Sequence, residues 1–498
     1  MNVLFIQFSG LQESIGIASL AASLQNAGHK SDIILMSHCK DLKEEIERFR
    51  PGLIGFSALT GAHNEVLELS AFVRKETGIP TILGGPHATY YSEEIIKTDS
   101  VDYICRGEGE EALVELTNRL SRGLDTGGIP NIWSHKNGGW RKNDLGMLVE
   151  DLDTRPIPMR EIYYKYGFLR DMPLKRFITG IGCPYPCTFC HSPLLKREYE
   201  GKGRFVRRKS VQRVIEEILA VKKVSAIRTI HFSDDTFTLD KGWLAEFSRR
   251  YPAEVKIPFT CNARLDSRME DIDLLASAGC RGVQLGFESG SERVRKQYLR
   301  KFWSNDYAGK VVERFRSRGI RTLATNMIAL PGETLHDSFL TVEWNSRLNF
   351  NFARCNVYMP FPRLDLTLIA KAEGLLDRDY SLSDYKPDAL NPVFNKQHSR
   401  ELINLANIFY LAVKLPFLRK FMLSKAIKIR PNAFFDFIGS LNLLQEYFFF
   451  GLRPFSSWRY FKNTLGSFRG FKYGSWPATR ILDSRQKKGQ KEAEVGQG

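Results

Sequence analysis

Short apolar runs alternate with amphipathic stretches through most of the 498-residue chain. Val3-Leu-Phe-Ile6 reads as a first strand, and Ile15 to Ala27 as a helix that ends at Gly28. Ser31–Met36, Leu53–Ser57, Thr81–Leu83 and Tyr103-Ile104 continue the strand series, with helical stretches at 41–50, 64–77 and 109–122 between them. Strands alternating with helices predict α/β architecture over residues 1–122, a doubly wound parallel sheet. Such sheets bind ligands outside the carboxyl ends of their strands. The turns expected there carry Ser57-Ala58-Leu59, Gly84-Gly85-Pro86-His87 and Arg106-Gly107-Glu108.

Residues 123–170 are rich in Gly, Pro and charge, and they read as a hairpin followed by an extended linker. From 171 to 395 the β/α alternation returns. Arg176–Gly180, Thr229–Phe232, Pro258–Asn262, Val283–Phe287, Thr322–Ile328 and Ala353–Met359 are the expected strands. A motif follows each of them. In β/α barrels the functional side chains gather at the carboxyl ends of strands, so this placement marks 171–395 as the chemical part of the chain.

Cys183, Cys187 and Cys190 follow the first of these strands, in Gly182-Cys-Pro-Tyr-Pro-Cys-Thr-Phe-Cys-His191. A C-x3-C-x2-C loop places three thiolates around one face of a [4Fe–4S] cluster and leaves one iron open to a non-protein ligand. The prolines and Gly182 oppose helix and suit a tight wrapping loop. The other five cysteines are scattered and form no second C-x2-C. Single cysteines of that kind are ordinarily buried small hydrophobes, although Cys261 and Cys355 fall at barrel strand ends. No secreted disulfide framework is present. Met1–Gln7 reads as a strand rather than a leader peptide, so the expected compartment is the cytoplasm.

The cysteine spacing resembles that of the radical SAM superfamily, and the six strands resemble its partial (β/α)6 barrel. The resemblance implies that the open iron chelates S-adenosylmethionine. One electron from the cluster then cleaves the sulfonium to methionine and a 5′-deoxyadenosyl radical. It further implies that Ser233, Asp234 and Asp235 hold the methionyl amine, unless one aspartate only caps the following helix. Glu288 would face the ribose hydroxyls, Pro331 and Gly332 would line the adenine pocket, and Arg264 would reach a carboxylate of substrate or cofactor. Pro360-Phe-Pro362-Arg363 departs from the family's Pro-x-Pro-Gly-Thr pattern.

Residues 1–122 resemble the Rossmann-like cobalamin-binding domain. Ser57-x-Leu59 and Gly84-Gly85 match the second and third parts of its signature, and small residues there admit a nucleotide tail between sheet and helices. The first part, D-x-H-x-x-G, is absent, so the resemblance implies cobalamin bound base-off without a histidine ligand. Gly107 joins these candidates. His87 is either a cofactor contact or a turn residue with a satisfied ring. The whole resembles a cobalamin-dependent radical SAM enzyme, and the implied reaction is methylation of an unactivated carbon. One S-adenosylmethionine would methylate the cobalamin and a second would generate the radical. Two alternatives stay open: a cobalamin-dependent cyclase without methyl transfer, like the anaerobic magnesium-protoporphyrin ester cyclase, and a non-catalytic cobalamin sensor. The intact cysteine loop argues against the sensor. The implied partners are a small-molecule or lipid-like substrate and an electron donor such as flavodoxin or ferredoxin.

Net charge is +16, and residues 401–498 hold 16 Lys/Arg against 6 Asp/Glu. Residues 396–484 read as a basic, aromatic helical region with Ile408-Phe-Tyr410, Phe434-Phe435, Tyr447–Phe450, Trp458 and Tyr460-Phe461. No run reaches the roughly 20 apolar residues of a spanning helix. The region is either an interfacial surface, giving peripheral contact at the inner membrane face, or a cap that packs its aromatics on the barrel. No nucleic-acid recognition motif accompanies the charge. Residues 485–498 read as a disordered tail.

Overall fold

The computed structural model describes residues 1–452, apart from 9, 11, 137 and 386–391. The aromatic run at Trp458, Tyr460 and Phe461 and the tail from Arg485 lie outside the described residues. The described residues divide into two compact units, one built on residues 1–148 with 154–170, the other on 149–153 with 171–452.

In the first unit, seven strands form one sheet: β1 (Asn2–Gln7), β2 (Lys30–Leu35), β3 (Leu53–Ser57), β4 (Thr81–Gly84), β5 (Tyr103–Cys105), β6 (Ile132–Lys136) and β7 (Gly139–Arg141). The order is β2-β1-β3-β4-β5-β6-β7. The first five strands are mutually parallel, with Val3 opposite both Ser31 and Leu53. Helices cover both faces, so β1 and β3 are almost continuously apolar rather than alternating. The helices start and stop where local chemistry dictates. Ser14 accepts from the Ile17 N–H at the head of the helix Ile15–Asn26, and Gly78 ends His63–Thr77 in the left-handed region. Segment 123–170 supplies β6 and β7, which extend the sheet antiparallel. Residues 154–170 pack on the same unit through a buried Arg160–Glu13 ion pair at 2.9 Å and a Tyr163–Gln7 hydrogen bond at 2.8 Å.

The second unit contains a six-stranded, wholly parallel sheet of β8 (Leu174–Phe177), β11 (Thr229–Phe232), β12 (Phe259–Ala263), β13 (Cys280–Glu288), β14 (Arg321–Ile328) and β15 (Phe352–Val357) in consecutive spatial order. Between β8 and β11, the short strands β9 (Gly180–Ile181) and β10 (Arg207–Arg208) pair antiparallel as a separate ribbon. The first barrel strand therefore ends at Phe177 rather than at Gly180. Asp234 is the cause, because its carboxylate takes the backbone N–H groups of Thr179 and Gly180 out of the ladder. Along β11 and β12 the side chains alternate. Phe232, Phe259 and Cys261 enter the core beneath the helices, while His231 and Thr260 bond to each other on the opposite face at 2.9 Å.

The helices Ser399–Lys414, Pro416–Ser424 and Ala433–Phe449 follow the barrel. Leu402, Leu405, Phe409, Met422 and Phe435 share a core with Ile328 and Ala353 of the last two strands. Phe449 sits over Gly282, where any Cβ would meet its ring at 2.8 Å, and Phe448 offers its carbonyl to Arg321. The helices thus cap the amino end of β13–β15 with part of their aromatics. No helix among the described residues is long and apolar enough to cross a membrane.

Candidate active site

The cysteine loop leaves β9 through Gly182, whose φ is +88° and whose absent Cβ would lie 2.5 Å from the Phe205 carbonyl oxygen. A side chain there would push the loop off the β9–β10 ribbon. Cys187 is buried and Cys183 and Cys190 are half-buried. A turn closes between the last two, with the Cys190 N–H donating to the Cys187 carbonyl at 3.1 Å. Cys190 also caps the helix His191–Glu198, its sulfur accepting from the Ser192 N–H at 3.5 Å. The helix amino terminus favours a thiolate there. Burial pushes the Cys183 and Cys190 thiols up, and the Tyr185 and Ser192 amides oppose it.

Among the described residues, no three His, Cys, Asp or Glu side chains converge tightly enough to hold a single metal ion. Three thiolates that each bind a different iron of a cluster must instead stand apart across one of its faces. The loop offers that donor set, thiolates without a fourth cysteine, and it fits a cluster with one open iron.

The other candidates gather around this loop at the carboxyl ends of the barrel strands. Asp234 is buried, and one carboxylate oxygen accepts from the Thr179 N–H and hydroxyl at 2.9 Å each and from the Gly180 N–H at 2.5 Å. Its work is to fix the backbone entering the cysteine loop. Burial pushes Asp234 above the usual carboxylate range, and the Arg208 charge opposes this. Asp235 is exposed and accepts from the Ser192 hydroxyl at 3.0 Å. The Ser233 hydroxyl is buried without a partner among the described residues. The two aspartates also border a cavity of about 560 Å³, in which they share the lining with Gly182, Arg204 and Arg208.

Arg264, just past β12, lies 3.4 Å above the Tyr185 ring, with one guanidinium nitrogen 3.9 Å from the Cys187 sulfur. Asp266 holds it through two contacts of 2.8 and 2.7 Å. Glu288 ends β13 at a φ of +63° and pairs with Lys301 at 2.9 Å. The Lys301 ammonium also meets the Gly286 carbonyl at 2.8 Å and lies 5.6 Å from the Phe189 ring of the cysteine loop. Gly332 follows Pro331 with φ +63° against the Tyr298 ring, and its carbonyl accepts from Arg293 at 2.9 Å. Glu333 beside it is fully enclosed, accepts from the Leu330 N–H at 2.9 Å, and is raised by burial to about 8. In the loop that departs from the family pattern, Arg363 pairs with Glu198 at 2.6 Å, tying it to the helix after Cys190.

Cys261 is buried in the barrel core, and Cys355 packs beside the helical cap. Tyr185, Phe189 and Lys301 are site residues that the sequence reading missed. The two aromatics lie inside the cysteine motif and carried a signal, whereas Lys301 comes near only through a π-helical turn at Arg295–Leu299.

In the first unit, Ser57, Gly84, Gly85, His87 and Gly107 all sit at the carboxyl edge of β3–β5. Gly85 has φ +88°, and a Cβ there would lie 2.5 Å from the Ser57 hydroxyl. His87 is buried, bonds through Nδ1 to the Thr60 hydroxyl at 3.0 Å, and stacks on His63 at 4.0 Å. Its Nε2 has no partner among the described residues, and burial lowers its pKa to about 3. Leu59 stands 64% exposed beside it. The Gly107 N–H donates to the Thr89 hydroxyl at 2.9 Å. A glycine shelf, an exposed apolar side chain and an unpartnered buried imidazole nitrogen fit an edge that accepts a large, partly apolar cofactor.

Fold and site together define a two-domain α/β protein with a cofactor shelf on one sheet and a three-cysteine loop on the other. The B12 binding domain model matches residues 1–117, and the Radical SAM superfamily model matches 177–344. The chain thus carries a B12 binding domain followed by a radical SAM domain, and these imply cobalamin, a [4Fe–4S] cluster and S-adenosylmethionine as its cofactors. An uncharacterized methyltransferase of Pyrococcus horikoshii is 28% identical over 75% of this chain and 81% of its own length. The anaerobic magnesium-protoporphyrin IX monomethyl ester cyclase of Rubrivivax gelatinosus is 25% identical over 74% of this chain and 69% of its own. The radical S-adenosylmethionine methyltransferase TsrM of Kitasatospora setae, solved with cobalamin and a [4Fe–4S] cluster, shares the fold with a TM-score of 0.66. It is 18% identical and covers 94% of this chain and 99% of its own.

Proposed function

We propose that this protein is a cobalamin-dependent radical SAM C-methyltransferase acting on a hydrophobic or lipid-like small molecule. The observation that carries the reading is the coexistence of the Gly85 shelf and the Cys183–Cys187–Cys190 loop in one chain. The bound cofactors supply a transferable methyl group and a radical that removes a hydrogen atom from carbon. The chain's own residues orient and enclose. Asp234 keeps the entry to the cysteine loop fixed, leaving Asp235 and Ser233 to meet the methionyl ammonium. Glu288, steadied by Lys301, accepts from ribose hydroxyls, and the Pro331–Gly332 turn closes the adenine side. Arg264 steadies the loop at Tyr185 and Cys187. With the cluster held by Cys183, Cys187 and Cys190, its electron would come from an external one-electron donor such as flavodoxin or ferredoxin.

A second reading, radical chemistry without methyl transfer, is favoured by the cyclase relative and its coverage of 69% of that protein. Supplying methyl-labelled S-adenosylmethionine to overexpressing cells separates the two. The methyltransferase reading predicts a metabolite that gains the labelled methyl, and the cyclase reading predicts products without label.

A further inference from the structure

The helical cap has two sides of different character. In the helix Ala433–Phe449 one side packs inward, with Phe435 buried and the Asn442 amide donating to the Asn407 carbonyl at 3.1 Å. The other side carries Phe434, Phe437, Leu441 and Phe448, spaced three, four and seven residues apart and each 43–65% exposed. That spacing is one continuous stripe of an α-helix. A helix apolar on both sides belongs where both sides leave water, and here the barrel covers only one.

The preceding helix repeats the pattern, with Phe417 77% and Phe421 55% exposed one turn apart. Charge chooses the occupant. Residues 415–449 contain five Lys/Arg, all between 419 and 430, against Asp436 and Glu446. Arg419 is spent on the Ala412 carbonyl at 3.0 Å. Lys420, Lys425, Lys428 and Arg430 are exposed. Exposed aromatics among unopposed cations match the interfacial plane of an anionic bilayer, where rings enter the acyl boundary and ammonium groups meet headgroup phosphates. A protein partner of ordinary composition gives no reason for five cations within 419–430 and no carboxylate among them.

We propose that Pro416–Ser424 and Ala433–Phe449 form a monotopic docking surface for anionic phospholipid membranes. The surface brings a radical enzyme to a membrane-resident substrate pool without a spanning segment. Its test is flotation of the anaerobically reconstituted 498-residue chain with vesicles of phosphatidylcholine, with and without phosphatidylglycerol. The chain is expected to float only with phosphatidylglycerol and to be released by molar salt. Lys420→Gln/Lys425→Gln/Lys428→Gln lowers the affinity by on the order of a hundredfold, at about fivefold per cation. Phe417→Ser/Phe421→Ser lowers it at least roughly tenfold. All five positions are exposed, so the thermal midpoint and the cluster absorbance stay at wild-type values. Equal flotation with both vesicle types, no flotation at low salt, or a triple variant that floats like the wild type overturns the proposal. Lipid-free self-association abolished by the phenylalanine changes would give the face to a second copy of the chain, and it overturns the proposal equally.

Discussion

Asp234 and Asp235 are adjacent, yet the structure gives them different work, and substitution separates them. Asp234→Ala removes one buried oxygen that serves three donors at 2.5–2.9 Å. Stranding a buried donor costs about 1–3 kcal/mol. Taken at the low end because the segment relaxes, three donors give about 3 kcal/mol. For a unit of about 290 residues that is a fall of roughly 5 °C in thermal midpoint. Because all three bonds fall on one oxygen, Asp234→Asn can keep them all while losing the charge. It should therefore hold the wild-type midpoint and the wild-type cluster content. Asp235→Asn should leave the midpoint alone and weaken S-adenosylmethionine binding. A hydrogen bond to a charged group is worth about 1.5–3 kcal/mol, or roughly 10- to 100-fold in affinity. Differential scanning fluorimetry and anaerobic equilibrium dialysis on the same preparations measure both quantities. If Asp234→Asn loses S-adenosylmethionine affinity as severely as Asp235→Asn, the division of labour is wrong.

Three further outcomes follow from the geometry. Gly85→Ala places a Cβ at a φ of +88° and 2.5 Å from the Ser57 hydroxyl, so the purified variant should contain the cluster but little cobalamin; full cobalamin occupancy, read from the visible spectrum, would refute the shelf. Arg264→Met removes a donor 3.9 Å from the Cys187 sulfur, and because hydrogen bonds to sulfur help set cluster potentials, the reductive midpoint followed by EPR titration should fall, while an unchanged midpoint denies Arg264 that contact. Glu333 carries a folded-state pKa of about 8 against 4.5 when unfolded. Between those values the folded state binds the extra proton, so stability falls with rising pH by about 1.4 kcal/mol per unit and is level on either side. Glu333→Gln should flatten that slope in urea titrations across pH 5–8, and an unaltered slope would place the titration elsewhere.

Periodicity exposed most of this fold, because parallel strands covered on both faces are short unbroken apolar runs that contrast sharply with amphipathic helices. The five parallel strands of the first unit and the six of the second stand where those runs lie. The strand end at Gly180 was misplaced for a reason outside local sequence, since the competing acceptor is a carboxylate 54 residues further on. The cysteine loop was legible because three ligands of one cluster must be close in sequence to wrap it. Lys301 was not, because its approach to Glu288 and Phe189 depends on the π-helical turn at Arg295–Leu299, which the residue types do not announce. Among the aspartates the residue types announced a polar site but could not say which carboxylate would be consumed by the backbone. The aromatics of the carboxyl-terminal region divided, with Phe435 and Phe449 turned inward and Phe434, Phe437 and Phe448 left in water, a partition that composition could not resolve.

Methyl transfer by this chain requires both cofactors to act on S-adenosylmethionine. Its most direct test is incubation of the anaerobically reconstituted protein with reductant and S-adenosylmethionine bearing a deuterated methyl group, followed by mass spectrometry of the released cobalamin and nucleosides. Labelled methyl is expected on the cobalamin together with 5′-deoxyadenosine, and Cys187→Ala should lose the 5′-deoxyadenosine alone. Bound cobalamin that never acquires label while 5′-deoxyadenosine still accumulates would contradict the methyltransferase reading.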